Sequence, residues 1–305
     1  MCYFLWCILI KTGDDNDSMI IHGKEFSFGK RTYLMGILNI TPDSFSDGGY
    51  FNQKDAALKH VQEMIKAGVD ILDIGGESTR PGYEKITAQE EMERVLPILK
   101  AIRENFDIPI SIDTYKSEVA LAAAEEGADL LNDIWGFRLE VCQCKETKNK
   151  EQRYSNSISS MALAAVKTGL PICLMHNRMT ACYKDFPKEI MEDLQESLEI
   201  AKKAGVDSEK IILDPGVGFG KTYENNLWIL NHLEKFQQFG LPVLLGVSRK
   251  SVIGFTLDLP VTEREEGTIA TSVLAVMKGC AFLRVHNVEA NKRAIKMIEK
   301  ILSME

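Results

Sequence analysis

Residues 33–76 read YLMGILNITPDSFSDGGYFNQKDAALKHVQEMIKAGVDILDIGG, and the architecture follows from this stretch. YLMGILNI (33–40) is an apolar run of strand length that breaks at Thr41-Pro42-Asp43 into a polar, glycine-rich loop. KDAALKHVQEMIKAG (54–68) then places Ala57, Val61, Met64 and Ile65 on one face at helical spacing and stops at a glycine. DILDIGG (70–76) is a second run of strand composition. Two strands joined by a helix of this length form a βαβ unit, so they run parallel, with a right-handed crossover.

Working outward, the same rhythm continues to the end of the chain. Strand-like runs recur at PISID (109–113), LLNDI (130–134), PICLMH (171–176), IILDPG (211–216), PVLLGVS (242–248) and AFLRVH (281–286). Helical patterns separate them at 87–105, 117–127, 159–169, 189–205, 225–240, 265–279 and 288–303. The first of these opens with Thr87 and Glu90 at capping-box spacing and contains Pro97, which is expected to bend it. Eight strands alternating with eight helices predict an α/β fold, a (β/α)8 TIM barrel. An open doubly wound sheet is the alternative, but no GxGxxG follows the first strand, which removes its dinucleotide-binding form.

One domain is expected over residues 19–305, opening with a short β-hairpin at IIHGKEFSFGKRT, with residues 1–18 as a loose extension. The segment from Arg138 to Ser160 is polar and lysine-rich and is expected to be a surface insertion after strand four. With 305 residues and 45% apolar composition the chain can bury a large core. A formal net charge of −8 and no basic block argue against nucleic acid as a partner, while leaving anionic small substrates open. The N-terminal MCYFLWCILIK has an apolar run too short for a membrane span and lacks a basic n-region, so no membrane partner is expected. Seven irregularly spaced cysteines, with Cys142-Gln-Cys144 in place of CxxC, read as reduced thiols in a cytoplasmic protein.

Chemistry concentrates where the strands end. They terminate in Asn39, in GGESTRPG (75–82), in Asp113, in Asn132-Asp133, in Met175-His176, in DPGVGFGK (214–221), in SRKS (248–251) and in Arg284 with His286. A barrel brings all eight ends to one mouth, and polar groups there are costly unless used or paired. Any single one could be a helix cap or loop staple, and His176 a satisfied wall histidine; His22, His60 and His232 are expected at the surface. As a set, Asp113, Asn132 and Asp214 suit a planar heterocycle with an amidine-like edge. Lys250 offers a cationic donor to a ring carbonyl or nitrogen, and Arg284 a guanidinium to stack on an aromatic face. Asn39, Thr79 and His286 make a hydrophilic shelf for phosphate oxygens and Mg²⁺.

LNITPDSFSDGG, IGGESTRPG, SIDT, LLNDI, LMHNR, ILDPGVGFGKT, SRKS and RVH, in this order, resemble the dihydropteroate synthases, a pterin-binding TIM-barrel family, from about Ile20 to Ile301. The resemblance implies condensation of 6-hydroxymethyl-7,8-dihydropterin diphosphate with 4-aminobenzoate, giving dihydropteroate and diphosphate in folate biosynthesis. It assigns the pterin pocket to Asp113, Asn132, Ile134, Met175, Asp214, Lys250 and Arg284. It assigns the diphosphate to Asn39, Thr79, Arg284 and His286, with Asn39 on the Mg²⁺. Phe45, Arg80, Pro81, Phe219, Lys250 and Ser251 would shape the 4-aminobenzoate site. Asp43 and Asp47, on a loop expected to act as a lid, are candidates to act near the leaving group; Asp43, Asp113, Asp214, Lys250 and Arg284 form the catalytic set. A homodimer through the last helices is also implied, with Ala275, Val276 and Ile298 either at the contact or facing the core. The long insertion, the N-terminal extension and Asn287 where Asp is usual are departures, compatible with a sulfonamide-tolerant variant. A corrinoid-linked pterin methyltransferase barrel, a non-catalytic pterin-binding protein and a generic phosphate-binding barrel are the rivals. The first needs neither the TPDSF nor the ESTRPG loop.

Overall fold

The strands owe their pairing to β-branched and apolar residues in runs too short for helices. A computed structural model describes residues 18–41, 49–78, 85–140, 142 and 159–304. Ser18–Ile21 (β1) and Lys24–Ser27 (β2) form an antiparallel hairpin. The predicted strands follow as Tyr33–Asn39 (β3), Ile71–Gly75 (β4), Ile110–Asp113 (β5), Leu130–Asp133 (β6), Ile172–Met175 (β7), Ile211–Asp214 (β8), Leu244–Leu245 (β9) and Phe282–Val285 (β10). All pair in parallel, in the order β8-β7-β6-β5-β4-β3-β10-β9. A parallel bridge from Leu213 to Val243, and a 2.9 Å bond from the Leu213 amide to the Pro242 carbonyl, close β8 onto the β9 end. The closed ring excludes the open-sheet alternative.

Helices Gly49–Lys66 (α1), Ala88–Asn105 (α2), Ser117–Glu125 (α3), Ser160–Thr168 (α4), Phe186–Ala204 (α5), Tyr223–Asn231 (α6), Ser251–Leu257 (α7), Glu265–Met277 (α8) and Val288–Leu302 (α9) surround it. The Thr87/Glu90 capping box forms as spaced, and α2 runs unbroken through Pro97. Four helix ends share one device: a glycine of positive φ (Gly68, Gly127, Gly205, Gly279), with the next amide bonding back to the carbonyl five residues earlier. That is the Schellman closure, and it turns each chain sharply into the following strand.

Side chains alternate across each strand, and the barrel uses the two faces differently. Leu34, Leu72, Ile74, Ile112, Leu131, Leu174, Leu213 and Leu283 point outward into the helix-packed core. Met35, Ile71, Leu130, Cys173, Ile212, Leu244 and Phe282 point inward, where Met19, Ile21 and Phe26 of the hairpin cover them. The hairpin therefore plugs the N-terminal end of the barrel. Phe26 lies 4.7 Å from Tyr33 and 6.0 Å from Phe282, ring to ring. Two residues further along β4, β6, β8 and β10 the inward positions are polar: Asp73, Asn132, Asp214 and Arg284.

Several expectations change. A short helix, α7, follows β9 where no helical pattern was read; seven residues are too few to show a periodicity. The helix predicted over 225–240 divides into α6 and a 3₁₀ run, Leu233–Phe239, at His232. His232 is half-buried and stacks on Trp228 at 4.5 Å. His22 is half-buried too, 2.9 Å from Asp129 and 2.8 Å from Asp107. The insertion does not begin at Arg138, which is fully buried between Asp193 (2.6 Å) and Glu196 (2.8 Å); Cys142 is also buried. Its charge partners lie on α5, far along the chain, so local polarity misleads there. Residues 1–17 and 143–158 lie outside the described residues.

Candidate active site

The polar inward positions meet at the C-terminal mouth of the barrel. Arg284, on β10, sits between two carboxylates: Nε donates to Asp73 Oδ2 and Nη2 to Asp113 Oδ2, both at 2.6 Å. Asn132 faces Asp73 from β6, with Nδ2 3.4 Å from Oδ2. Asp113 Oδ1 is buried and accepts no hydrogen bond among the described residues. Burial, with Asp73 and Glu91 nearby, pushes the Asp113 carboxyl up to about 7 even though Arg284 opposes the shift. Burial likewise raises Asp214, whose Oδ1 accepts from the Gly216 amide at 2.7 Å. Gly246 and Gly75 line the space between these groups. A Cβ on Gly246 would lie 3.6 Å from Asp214 Oδ2, and one on Gly75 would lie 3.7 Å from Asp113 Oδ2 and 3.9 Å from Asn39 Oδ1.

Apolar walls flank the carboxylates. Ile134, Trp135, Cys142 and Met175 cluster, with Tyr115, Leu139 and Phe219 packed against them. Lys250 crosses from the SRKS segment. Its Nζ donates to the Val217 carbonyl at 2.5 Å and lies 4.5 Å from the Phe219 ring centroid. Burial lowers its ammonium to about 8, against the pull of Asp214. His286 is oriented by Ser248, whose Oγ lies 2.9 Å from Nδ1. Ser251 is exposed at the N-terminus of α7 beside them.

The structure thus brings Asn39, Asp113, Asn132, Ile134, Met175, Asp214, Phe219, Lys250, Ser251, Arg284 and His286 to one end of the barrel. Asp43, Phe45, Asp47, Thr79, Arg80 and Pro81 lie outside the described residues. Asp133 proves to be a staple: it accepts from the amides of Trp135 (2.9 Å) and Phe137 (2.7 Å), and burial carries it to about 6. Asn287 caps α9 by accepting from the Ala290 amide at 3.1 Å, a role Asn and Asp fill equally.

Sequence reasoning missed two residues. Asp73 is fully buried and holds Arg284; a lone carboxylate inside the apolar run ILDIG was its signal. Glu77, in the ESTRPG motif, accepts from Tyr115 Oη at 2.8 Å, from Lys116 Nζ at 2.6 Å and from the Ile86 amide at 3.2 Å. It therefore ties together the two stems of the segment between residues 78 and 85. Only the spatial approach of Lys116 and Tyr115 reveals that role.

No cluster of three His, Cys, Asp or Glu among the described residues could hold a metal alone. Mg²⁺ does not require one, since it keeps waters and substrate phosphates in its shell and takes only one or two protein oxygens. Asn39 Oδ1, at the rim beside Asp113, fits that sparse demand.

An eight-stranded barrel whose mouth gathers buried carboxylates, an amide, a lysine and an arginine is the setting of a small-molecule-binding barrel. Residues 35–286 match the family model described as pterin binding enzyme. Dihydropteroate synthase from Clostridium beijerinckii is 56% identical over 285 residues, covering 93% of this chain and 99% of that protein. The crystal structure of dihydropteroate synthase from Clostridium difficile in the presence of pteroic acid superposes with a TM-score of 0.81 at 46% identity, covering 90% and 98% of the two chains. That of Xanthomonas albilineans with 4-aminobenzoic acid gives 0.84 at 34% identity, covering 95% and 99%. The chain belongs to the dihydropteroate synthase family.

Proposed function

We propose that this chain condenses 6-hydroxymethyl-7,8-dihydropterin diphosphate with 4-aminobenzoate to give 7,8-dihydropteroate and diphosphate. The observation that carries the reading is the buried, unpartnered Oδ1 of Asp113, set beside Asn132 and Asp214 inside a slot walled by Ile134 and Met175. Such an acceptor is costly unless a ligand supplies paired N–H donors, and the amidine edge of a pterin does so. Lys250 donates to the ring carbonyl or nitrogen from the opposite side, and Arg284 covers the ring while neutralising Asp73 and Asp113.

The leaving diphosphate lies toward Asn39 and His286, and toward Thr79 of the adjoining loop. Asn39 would hold Mg²⁺ together with the diphosphate, and the metal would help neutralise the leaving charge. Carbon–oxygen cleavage leaves a pterin methylene cation, delocalised into the ring. The carboxylates of Asp73, Asp113 and Asp214 stabilise it in a site of low dielectric. The aniline nitrogen of 4-aminobenzoate then attacks in an SN1-like step that needs positioning and exclusion of water more than a strong base. Phe219, Lys250 and Ser251 form the described part of that second site; Phe45, Arg80 and Pro81 complete it, with Asp43 near the leaving group.

A homodimer fits the exposed apolar side chains of Phe255 and Leu257 on α7, Met277 on α8, and Met297 and Ile301 on α9. Ala275 is fully buried and belongs to the core, while Val276 and Ile298 are half-buried. The free thiols of Cys173, Cys182 and Cys280 suit the cytoplasm. No helix among the described residues is long and apolar enough to cross a membrane.

The test is diphosphate release from the dihydropterin diphosphate with Mg²⁺, with and without 4-aminobenzoate and sulfamethoxazole. Release that requires 4-aminobenzoate and stops with the drug is the expected result. Release that persists in the drug identifies a sulfonamide-tolerant synthase. Absence of release from folded protein that binds pterin removes the synthase reading.

A further inference from the structure

Lys221 ends the DPGVGFGK turn, and the chemistry above makes no use of it. Lys221 is half-buried, and loss of solvent lowers its amine well below the usual lysine range; no carboxylate among the described residues touches it. Nζ donates to the carbonyls of Gly216 (2.8 Å) and Phe219 (2.9 Å) in its own turn, approaches the His176 carbonyl at 3.2 Å, and meets His176 Nδ1 at 2.7 Å. Across the imidazole, His176 Nε2 lies 3.0 Å from Asp193 Oδ2. The tautomer follows: Nε2 carries the proton and donates to Asp193, while Nδ1 accepts from Lys221. Burial and the Lys221 charge hold His176 at about 3, so the ring stays neutral. Asp193, in turn, is held by Arg138 at 2.6 Å and Arg178 at 2.5 Å.

The backbone repeats the message. A Cβ on Gly216 would run into the His176 carbonyl, and one on Gly220 into the backbone of Arg178. The turn is therefore seated directly on the segment that leaves β7. What the turn carries is the substrate side of the site. Asp214 opens it, Val217 presents the carbonyl that anchors Lys250, and Phe219 forms the face over which Lys250 lies. A half-buried lysine that divides its donors between carbonyls of its own turn and His176 is an expensive way to fill space, and an aliphatic residue would fill it at lower cost.

We propose that Lys221, His176 and Asp193 form a positioning relay that fixes the turn bearing Phe219 and the Val217 carbonyl, and thereby determines how the enzyme receives its second substrate. Identifying that substrate as 4-aminobenzoate rests on the synthase reading. The relay itself rests on the geometry. None of the three residues touches the reacting atoms. Their effect passes through Phe219 and Lys250, whose placement matters because displacements near 1 Å cost large factors in rate.

The experiment compares Lys221→Met, His176→Leu and His176→Asn in full-length protein. The Asn amide oxygen retains an acceptor for Lys221 near the Nδ1 position; Leu retains none. The expected result is a rise of about tenfold or more in KM for 4-aminobenzoate in Lys221→Met and His176→Leu, with affinity for a pterin ligand changed by less than about threefold and partial recovery in His176→Asn. A Lys221→Met/His176→Leu double variant should be no worse than either single one, because the groups act as a unit. Crystal structures should show Phe219 displaced, a readout independent of the substrate's identity. Folded variants with unchanged KM and unmoved Phe219 overturn the relay. Equal losses for both substrates, scaling with Tm, overturn it as well, by making the network merely structural. Should Lys221→Met not fold, the two His176 variants decide, and identical behaviour of Leu and Asn overturns the proposal. Failure of the wild type to turn over with 4-aminobenzoate, with Phe219 still displaced in the variants, would count against the substrate and leave the relay standing.

Discussion

Asp113 and Lys250 are poised against one another across the mouth of the barrel, one carboxyl raised to about 7 and one ammonium lowered to about 8, both by burial first. Only an ionised carboxylate accepts two N–H donors, and only a protonated amine donates. Affinity for a pterin ligand should therefore peak between about 7 and 8. It should fall on the acid side as Asp113 gains a proton, and on the alkaline side as Lys250 loses one. Calorimetric titrations from pH 6 to 9 check this, and Asp113→Asn should abolish the acid limb while weakening binding by about 100-fold. A flat profile would mean that the ligand does not engage Asp113. The same raised pKa has an opposite sign for folding. Stability contributed by a protonated Asp113 is present below its unfolded value of roughly 4 and is lost as pH rises through about 7. The ligand-free enzyme thus carries an electrostatic cost at neutral pH that binding relieves.

Among the elements, β3 shows how tightly the outer face is specified. Gly36 points at α1 and α9, and a Cβ there would lie 2.8 Å from Met64 Sδ, 2.9 Å from Val69 Cγ2 and 3.3 Å from Val288 Cγ2. Gly36→Ala should destabilise by about 1–3 kcal/mol through overpacking. Thermal denaturation would show a Tm lowered by several degrees, and an unchanged Tm would mean that the helices can retreat. The capping box of α2 and the glycine stops were legible in sequence because both are local: a threonine and a glutamate three apart, or a glycine at the end of an amphipathic run. α7 was not, because seven residues, with Gly254 among them and Asp258 as the cap, leave no period to read.

Over the whole molecule, the two ends of the barrel divide the work. The hairpin closes one end with Met19, Ile21 and Phe26, and is fastened by His22 between Asp107 and Asp129; the reactive groups occupy the other. Phe26→Ala should cost about 3–5 kcal/mol in stability. At 25 °C it should leave kcat/KM within about twofold, since residues at the N-terminal face of a barrel serve stability. Chemical denaturation and steady-state kinetics on one preparation test both. A large kinetic loss without unfolding would show that the plug also shapes the site.

The βαβ rhythm of residues 33–76, repeated along the chain, determined the barrel by itself, because alternation of short apolar runs with amphipathic helices has few packed solutions. The identities at the strand ends likewise marked Asp113, Asn132, Asp214, Lys250, Arg284 and His286 before any contact was known. Only the tertiary structure decided which polar residues line the mouth of the barrel and which hold the frame. Asp133 turned out to be a staple, Arg138 a buried cation, and Asp73, Glu77 and Lys221 members of networks. The physical reason is reach. A period or a cap lies within a few residues of chain, whereas the partner that satisfies a buried charge is set by the closure of the barrel: Arg284 reaches Asp73 across 211 positions of sequence and 2.6 Å of space.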